Sequence, residues 1–220
     1  MNVDIKNHFF LLNQIRINDY PSREEIAGLN LTVDSGVWNP ARDPGSKMFA
    51  SLLANYSYQK IESVLDMGTG CGILALTINK IGIFKITASD ISPKALDNTS
   101  ANSVFNNAGH IKLIDSNLFE NIEEKYDLIV FNPPIIPSLV LKNHNGLIFK
   151  QKRVDLYKNF LKDLKKYLTP QGKALILVTK FENFDPLPPK AVYKLRYRFK
   201  EILKEESTWG KSSIFEISPK

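Results

Sequence analysis

Three glycines at alternate positions follow an acid in the stretch "VLDMGTGCGIL". Asp66 ends an apolar, strand-like run, and Gly68, Gly70 and Gly72 come after it. The dinucleotide-binding pattern has its third glycine three residues after the second, where this chain has Ile73. Alternate glycines leave the loop free of side chains, so that a ligand can lie against the backbone. Because an acid beside the loop repels a pyrophosphate and attracts an ammonium or sulfonium group, the motif predicts a cationic ligand.

A second acid, Asp90, ends the next β-prone run, 18 residues after Gly72. Doubly wound folds place at this position the carboxylate that binds two ribose hydroxyls. A cap for the helix that follows is the alternative role from position alone. Taken with the glycine loop, Asp90 predicts a cationic nucleoside, and S-adenosylmethionine meets that description.

The stretch "VFNPPIIP" ends a later strand-like run. Two prolines fix the backbone and remove donors, so the Pro133 carbonyl and the Asn132 amide oxygen can act as rigid acceptors. Two aligned acceptors suit a planar amine or amide, whose nitrogen they would hold in line with a methyl group. A simple strand-ending turn is the alternative interpretation.

These motifs need a sheet to bring them together. From Ser63 onward, short β-prone runs alternate with segments of helical period, which predicts a parallel sheet with helices on both faces. The predicted parallel strands are "SVLDM", "KITASD", "IKLI", "DLIVF" and "KALILVT". Near the end of the chain "FKEILKEES" and "SSIFEIS", joined through "TWGK", predict an antiparallel hairpin that closes the sheet.

The connecting segments predict helices with recognisable ends. "ILALTINKIG" has helical period, and in "SPKALDNTSANSVFNNAG" Ser92 is the expected N-cap, Pro93 the first helical residue and Gly109 the stop. "VDLYKNFLKDLKKYL" is predicted to be a helix with one apolar face, and "TPQG" a turn into the next strand. The apolar face consists of Val154, Tyr157, Leu161, Leu164 and Leu168.

The first part of the chain is predicted to be an extension of the sheet domain. It contains an amphipathic helix near Ile5 to Ile17, a segment that begins with proline, and the stretch "LNLTVDSGVWNPARDPGSKMFASLL", interpreted as a short hairpin that leads into a helix. We therefore divide the chain into an N-terminal helix and hairpin extension, residues 1–45, and a catalytic domain, residues 46–220.

Composition limits the class of protein. A chain of 220 residues with 43% hydrophobic residues can bury one sizeable core. The single cysteine, Cys71, and three dispersed histidines predict no disulfide and no metal site, and the absence of a long apolar run predicts a soluble, cytoplasmic protein. The net charge of +6 favours acidic partners such as RNA, although a solvated basic surface is the slightly preferred explanation because moderate positive charge is common among soluble proteins.

The motifs, in this order, resemble those of class I S-adenosylmethionine-dependent methyltransferases. Within that class the chain is similar to the Asn-Pro-Pro amino-methylating group, typified by the HemK-type glutamine methyltransferases of release factors. The resemblance rests on "VLDMGTGCGIL", "SDISPKAL", "SNLFE", "FNPP" and "NGLIFKQKRVDLYKNFL". It implies a Rossmann-like, doubly wound α/β fold with a seven-stranded sheet.

The resemblance also implies roles for individual residues. Asp90 would bind the ribose of S-adenosylmethionine, Asn117 would lie beside the adenine, and Asn132 and Pro133 would hold the nitrogen that is methylated. The full cofactor set is Asp66, Gly68, Thr69, Gly70, Gly72, Asp90, Ile91, Asn117, Leu118 and Asn132. The residues expected on the acceptor side are Pro134, Ile135, Trp38 and Pro40.

Two positions depart from the family pattern. Asn117 stands where the family usually has aspartate, and its amide oxygen can still bond the exocyclic amine. Ile135 stands where the family usually has tyrosine or phenylalanine, so the aromatic face that would stack on a planar acceptor is lost. The compact N-terminal part is similar to that of the archaeal and eukaryotic enzymes of this group, which implies a possible partner subunit.

Several functions fit these residues. The first is N-methylation of a macromolecule, on a protein glutamine or on an exocyclic amine of RNA, with the protein acceptor preferred because of Ile135. A small-molecule methyltransferase is the second. A non-catalytic cofactor-binding module that docks through a helix in "YKLRYRFKEILK" is the third. Ile73 disfavours a nicotinamide dehydrogenase.

Overall fold

A computed structural model describes residues 21–134, 153–180, 197–207 and 210–220. Two short strands, β1 (Ser22–Ile26) and β2 (Leu29–Val33), come first, and a 3₁₀ turn, Pro40–Arg42, leads into α1 (Pro44–Ala54). The remaining elements are β3 (Ser63–Met67), α2 (Ile73–Lys80), β4 (Lys85–Asp90), α3 (Pro93–Phe105), β5 (Lys112–Asp115), β6 (Tyr126–Phe131), α4 (Arg153–Leu164), β7 (Leu168–Lys180), β8 (Tyr197–Ser207) and β9 (Gly210–Pro219).

The large sheet has seven strands in the order β5-β4-β3-β6-β7-β9-β8. The first five in this order are parallel, and β9 pairs antiparallel with both β7 and β8. This arrangement confirms the predicted α/β fold with five parallel strands and a terminal antiparallel pair. The chain moves outward from β3 to β5 and then returns to β6, so the strand order reverses between β3 and β6. Open α/β sheets bind ligands at such a reversal, beyond the carboxyl ends of the strands.

Apolar residues cover both faces of the sheet. Along β6, Leu128 and Val130 belong to the cluster that includes Phe49 of α1 and Leu74 of α2, whereas Ile129 and Phe131 belong to the cluster that includes Phe160 of α4. Successive side chains of a strand point to opposite faces, so one short apolar run serves two cores.

The small hairpin rests on α3. Its strands are joined by Ala27 and Gly28, both with positive φ, as in a two-residue type I′ turn. Strand β2 is then held by amide side chains spaced four residues apart on one face of α3: Asn98 and Asn102 each donate to the Thr32 carbonyl oxygen at 2.8 Å. These bonds fix the hairpin and the segment after it against the main sheet.

The structure corrects three predicted boundaries. The segment Thr169–Gly172 is a bulge inside β7 and not a turn before it, because the register of β7 on β6 shifts between Tyr126 and Leu128. Leu168 is the first residue of β7 and does not belong to the helix. Helix α3 ends at Phe105 and not at Gly109, since Asn107 already adopts the left-handed conformation, with φ of 57°.

Three further predictions concern the two terminal parts of the chain. The predicted hairpin begins earlier than expected, because Ser22–Ile26 supplies its first strand. The docking helix considered for "YKLRYRFKEILK" is wrong from Tyr197 onward, where the chain forms β8. The predicted helix near Ile5 to Ile17 lies outside the described residues.

Within the described ranges no helix is long and apolar enough to cross a membrane, and no group of three metal-binding side chains occurs.

Candidate active site at the reversal of strand order

A cavity of about 370 Å³ opens at the carboxyl ends of β3, β4 and β6. Met67 is paired with Phe131 across the strand reversal, so the glycine loop and the Asn-Pro-Pro segment leave the sheet side by side. Most of the residues predicted from the sequence line this cavity: Trp38, Pro40, Asp66, Gly68, Thr69, Gly70, Asp90, Ile91, Asn117, Leu118, Asn132, Pro133 and Pro134.

The glycine loop presents backbone to the cavity. Gly68, Gly70 and Gly72 all have positive φ, which residues with a side chain rarely adopt. A Cβ atom on Gly70 would meet nothing within 4 Å, so the loop is open on the cavity side at this residue. Gly72 differs, because it does not line the cavity and caps α2, with Thr99 Cγ2 only 3.0 Å from the position of a Cβ atom.

Asp66 is a buried carboxylate behind this loop. One oxygen, Oδ2, accepts hydrogen bonds from Thr69 Oγ1 at 2.8 Å and from the Ala75 amide at 3.1 Å. The other, Oδ1, is buried and has no partner among the described residues. Desolvation raises the pKa of Asp66 to about 7, against the effect of those two hydrogen bonds. The free oxygen is suited to an incoming cation with hydrogen-bond donors.

Asp90 connects the glycine loop with the start of α3. Its Oδ2 accepts from the Gly70 amide at 3.0 Å, and its Oδ1 accepts from the Ser92 amide at 2.9 Å, at the start of α3. Burial raises the pKa of Asp90, while the backbone donors, Gly70 first, counteract it. The carboxylate therefore organises both the loop and the start of α3, and it also borders the cavity.

The end of β5 forms another wall of the cavity. The Ser116 amide donates to the Asp90 carbonyl oxygen at 3.0 Å, which brings the segment "SNLFE" beside β4. Leu118 has positive φ, 54°, and its carbonyl oxygen accepts from Ser116 Oγ at 2.9 Å. This tight turn places both Asn117 and Leu118 at the cavity.

Asn132 contributes an unpaired acceptor. Its Nδ2 donates to Ser46 Oγ at 2.8 Å, and its buried Oδ1 has no partner in the described part of the chain. Ser46 in turn donates to Asp43 Oδ2, which also accepts from Trp38 Nε1 at 3.3 Å. Sequence reasoning missed Asp43 and Ser46, although "DPGS" before an apolar helix is the pattern of an N-cap followed by proline.

The charge of the cavity is negative on the described surfaces. Asp43, Asp66 and Asp90 line it, and no lysine or arginine occurs among its described lining residues. A phosphate would find three acids and no cationic side chain among the described lining residues, whereas an ammonium or sulfonium group would find uncompensated carboxylate. The open glycine at residue 70 and the free Asp66 oxygen fit the aminoacyl and sulfonium part of S-adenosylmethionine. Ile135 lies outside the described residues.

The family model described as "Methyltransferase small domain" matches residues 28–206. The chain belongs to this family. It thus has the S-adenosylmethionine-dependent methyltransferase domain implied by its motifs, and the cofactor is S-adenosylmethionine. The match begins just before β2 and ends within β8. The second strand of the small hairpin and most of the large sheet therefore lie inside it.

Relatives of this methyltransferase carry names that refer to glutamine. A protein of Methanocaldococcus jannaschii, provisionally named protein N5-glutamine methyltransferase, is 34% identical over 63% of this chain and 62% of its own length. A release factor glutamine methyltransferase of Streptococcus pneumoniae is 34% identical over 66% of this chain and 55% of its own length. The chain thus spans between a half and two thirds of the length of these relatives.

A solved methyltransferase shares the fold. The 16S rRNA N2 methyltransferase of T. thermophilus, solved in complex with AdoMet and guanosine, superposes with a TM-score of 0.61. It is 17% identical, and the alignment covers 91% of this chain and 50% of that one. At this identity the likeness concerns the fold of the methyltransferase domain.

Proposed function

We propose that this methyltransferase transfers a methyl group to a planar amide nitrogen, the side-chain amide of a protein glutamine. The observation that carries the proposal is the buried Oδ1 of Asn132, which lies at the edge of the cofactor cavity and has no partner among the described residues. A primary amide has two N–H donors and needs acceptors, not a base, to be held in place. The names of the two glutamine-specific relatives support the same acceptor class.

The site residues divide between cofactor and acceptor. Asp66, the glycine loop, Asp90 and Asn117 would bind S-adenosylmethionine, which supplies an electrophilic methyl group on a sulfonium. Asn132 Oδ1 and the Pro133 carbonyl would each accept one N–H of the acceptor amide. Both bonds hold the nitrogen in line with the methyl group and reduce delocalisation of its lone pair into the carbonyl, which favours attack. The S–CH3 bond would break as the N–CH3 bond forms, leaving a neutral thioether, and the methylated nitrogen would lose one N–H proton to solvent. Catalysis would thus come from orientation.

An exocyclic amine of an RNA base is the second candidate. Such an amine has the same planar pair of N–H donors, and the fold neighbour from T. thermophilus is named as an rRNA N2 methyltransferase. The net charge of +6 is the observation in this chain that favours it. The same Asn132 acceptor would serve either class.

Labelled methyl transfer separates the candidates. The purified chain is incubated with S-adenosylmethionine carrying a tritiated methyl group and, separately, with ribosome-free protein, total RNA or a small-molecule filtrate. Alkaline hydrolysis of a methylated glutamine releases volatile tritiated methylamine, whereas a methylated base stays in the nucleoside fraction. Volatile label from the protein fraction is expected. Label in nucleosides would favour the second candidate, and label only in the filtrate would reject both.

The Asn132→Ala variant tests the role of the acceptor oxygen. We expect turnover to fall at least about 100-fold, because the orientation of the nitrogen is lost, while cofactor affinity stays within about threefold. Calorimetry with S-adenosylhomocysteine measures the affinity independently of turnover. A parallel loss of affinity and turnover would assign Asn132 a structural role.

A further inference from the structure

We propose that Asp43 and Ser46 are positioning residues, which fix the side-chain amide of Asn132 so that its oxygen, and not its nitrogen, faces the acceptor. The inference rests on the proposed function in taking Asn132 as the group that binds the acceptor. It assigns a role to two residues that the sequence analysis did not single out.

The direction of each hydrogen bond follows from chemistry. An ionised carboxylate only accepts, so the single hydroxyl proton of Ser46 is donated to Asp43 Oδ2. The Ser46 oxygen can then only accept from its other neighbour. The group that lies 2.8 Å away on Asn132 must therefore be the amide nitrogen, Nδ2. The amide oxygen is left on the opposite side, where it has no partner among the described residues.

The pair is buried and rigidly held. Both Asp43 and Ser46 are 1% exposed. Asp43 is the N-cap of α1, and its carboxylate accepts from the Gly45 amide at 3.0 Å and from the Ser46 amide at 3.1 Å. Pro44 fixes the first turn of the helix. The carboxylate that orients the Ser46 hydroxyl is thus anchored by the backbone of the same helix.

The arrangement solves a specific problem for an asparagine. A free primary amide can rotate by half a turn, which exchanges a donor for an acceptor at nearly the same position. With Nδ2 toward the acceptor, two donors would face each other and the methyl-accepting nitrogen would be repelled. Asp43, the N-cap of α1, prevents this rotated state because it orients the Ser46 hydroxyl group to accept from Asn132 Nδ2. Helix α1 therefore takes part in acceptor recognition.

Ser46→Ala removes the hydroxyl and keeps the backbone cap. Asn132 Nδ2 then loses its acceptor, and the amide can rotate. We expect kcat for methyl transfer to the acceptor to fall about 10- to 100-fold. The KM for the acceptor and the dissociation constant of S-adenosylhomocysteine should each change less than about threefold. Ser103→Ala is the matched control, because Ser103 is also buried and its hydroxyl bonds only the Thr99 carbonyl within α3. The control is expected to keep the wild-type kcat.

A second measurement needs no acceptor. The side-chain amide resonances of Asn132 in ¹⁵N-labelled protein are assigned by their loss in Asn132→Ala. In the wild type the Nδ2 protons should exchange slowly with solvent, and in Ser46→Ala they should shift and exchange at least about tenfold faster, as expected for a lost hydrogen bond. Asp43→Ser, which keeps an N-capping side chain, should have the same effect because it releases the Ser46 hydroxyl.

The outcomes separate this proposal from the proposed function. An unchanged amide signal in folded Ser46→Ala, or wild-type kcat in that variant, would overturn the positioning role. If the wild type methylates none of the three fractions, the proposed function fails, yet the amide exchange still decides whether Ser46 orients Asn132. Thermal unfolding of each variant identifies any that does not fold, and a cooperative transition in Ser46→Ala is required for the comparison.

Discussion

The carboxyl group of Asp66, which lines the cavity, has a strongly raised pKa. It is buried, burial raises its pKa to about 7, and its Oδ1 has no partner among the described residues. An ammonium group bound beside Oδ1 would lower that pKa, because opposite charge favours the ionised form. We therefore expect cofactor binding at this carboxyl group to be coupled to release of the Asp66 proton.

We expect cofactor affinity to increase as the pH rises toward about 7 and to level off above it. Below that value binding must first ionise Asp66, which costs up to about tenfold in affinity for each pH unit. Calorimetry between about pH 5.5 and 7, in buffers of different ionisation enthalpy, counts the protons released. Asp66→Asn should bind more weakly and release none. An affinity that does not change over this range would contradict the coupling.

The same carboxylate should destabilise the protein without cofactor at high pH. Its pKa is about 7 when folded and close to the ordinary value of 3.8 when unfolded, so between these values the folded state holds a proton that the unfolded state has lost. Stability from this group is thus lost as the pH rises through 7. Asp66→Asn keeps an oxygen for Thr69 and Ala75, and at about pH 8 it should be more stable by about 1–2 kcal/mol.

Thermal unfolding of the two proteins at about pH 5 and pH 8 measures this difference in stability. The advantage of Asp66→Asn should shrink at the lower pH, where Asp66 is protonated in the folded wild type. An equal advantage at both values would mean that the Asp66 charge is not its source.

At the scale of elements, α3 holds the hairpin through asparagine side chains in place of a neighbouring strand. Asn102 is 2% exposed, accepts from the Thr32 amide at 2.8 Å, and donates to the carbonyl oxygens of Thr32 and Cys71, both at 2.8 Å. One side chain therefore links β2, α3 and the glycine loop. Cys71 itself is buried, and burial raises the pKa of its thiol to about 12, as suits a small packing residue.

Asn102→Ala should weaken both the fold and the site. Loss of its bonds leaves buried backbone groups of β2 and of the loop without this partner, at a cost of about 2–3 kcal/mol. Asn106→Ala is the matched control, since Asn106 lies at the exposed end of α3 and donates to the Asn30 and Asn102 carbonyl oxygens. The control should cost less than about 1 kcal/mol.

Urea unfolding and cofactor affinity are measured for both variants. The affinity should fall more in Asn102→Ala, because Asn102, unlike Asn106, donates to the Cys71 carbonyl oxygen of the glycine loop. Equal losses of stability and affinity in the two variants would show that the bond from Asn102 to the Cys71 carbonyl makes no particular contribution to the fold or to cofactor binding.

The sequence predicted the elements whose signal is local. Short continuous apolar runs and the alternate spacing of the glycines predicted β3, β4, β6 and the loop, because these patterns depend only on neighbouring residues. The bulge at Thr169–Gly172 could not be foreseen, since it depends on pairing with β6, where a Cβ on Gly172 would lie 2.7 Å from the Tyr126 carbonyl oxygen. The links from Asn132 to Ser46 and from Asn102 to Thr32 join positions 86 and 70 residues apart, and no local pattern encodes them.

At the scale of the whole molecule, the charge of the surface is opposite to that of the cavity. The chain carries a net +6, whereas the cavity is lined on its described faces by three aspartates and no lysine or arginine. Several described lysines are paired with acids, such as Lys112 with Glu124 at 2.7 Å and Lys211 with Glu206 at 2.8 Å. In β8 the exposed lysines alternate with glutamates. These pairs neutralise part of the positive charge on the described surface.

The salt dependence of methyl transfer follows from this distribution of charge and depends on the acceptor. A protein glutamine bound mainly through Asn132 and apolar surface involves little ion release, so KM should change less than about threefold between about 50 and 200 mM salt. An RNA acceptor that contacts six or more phosphates would lose on the order of 1,000-fold in affinity over the same range. Initial rates at four salt concentrations give the dependence of KM on salt. Cofactor affinity is measured in parallel, so that its own salt dependence can be subtracted. A steep dependence of KM on salt would favour RNA over protein as the acceptor. A shallow dependence, together with volatile methylamine from the protein fraction, would support glutamine.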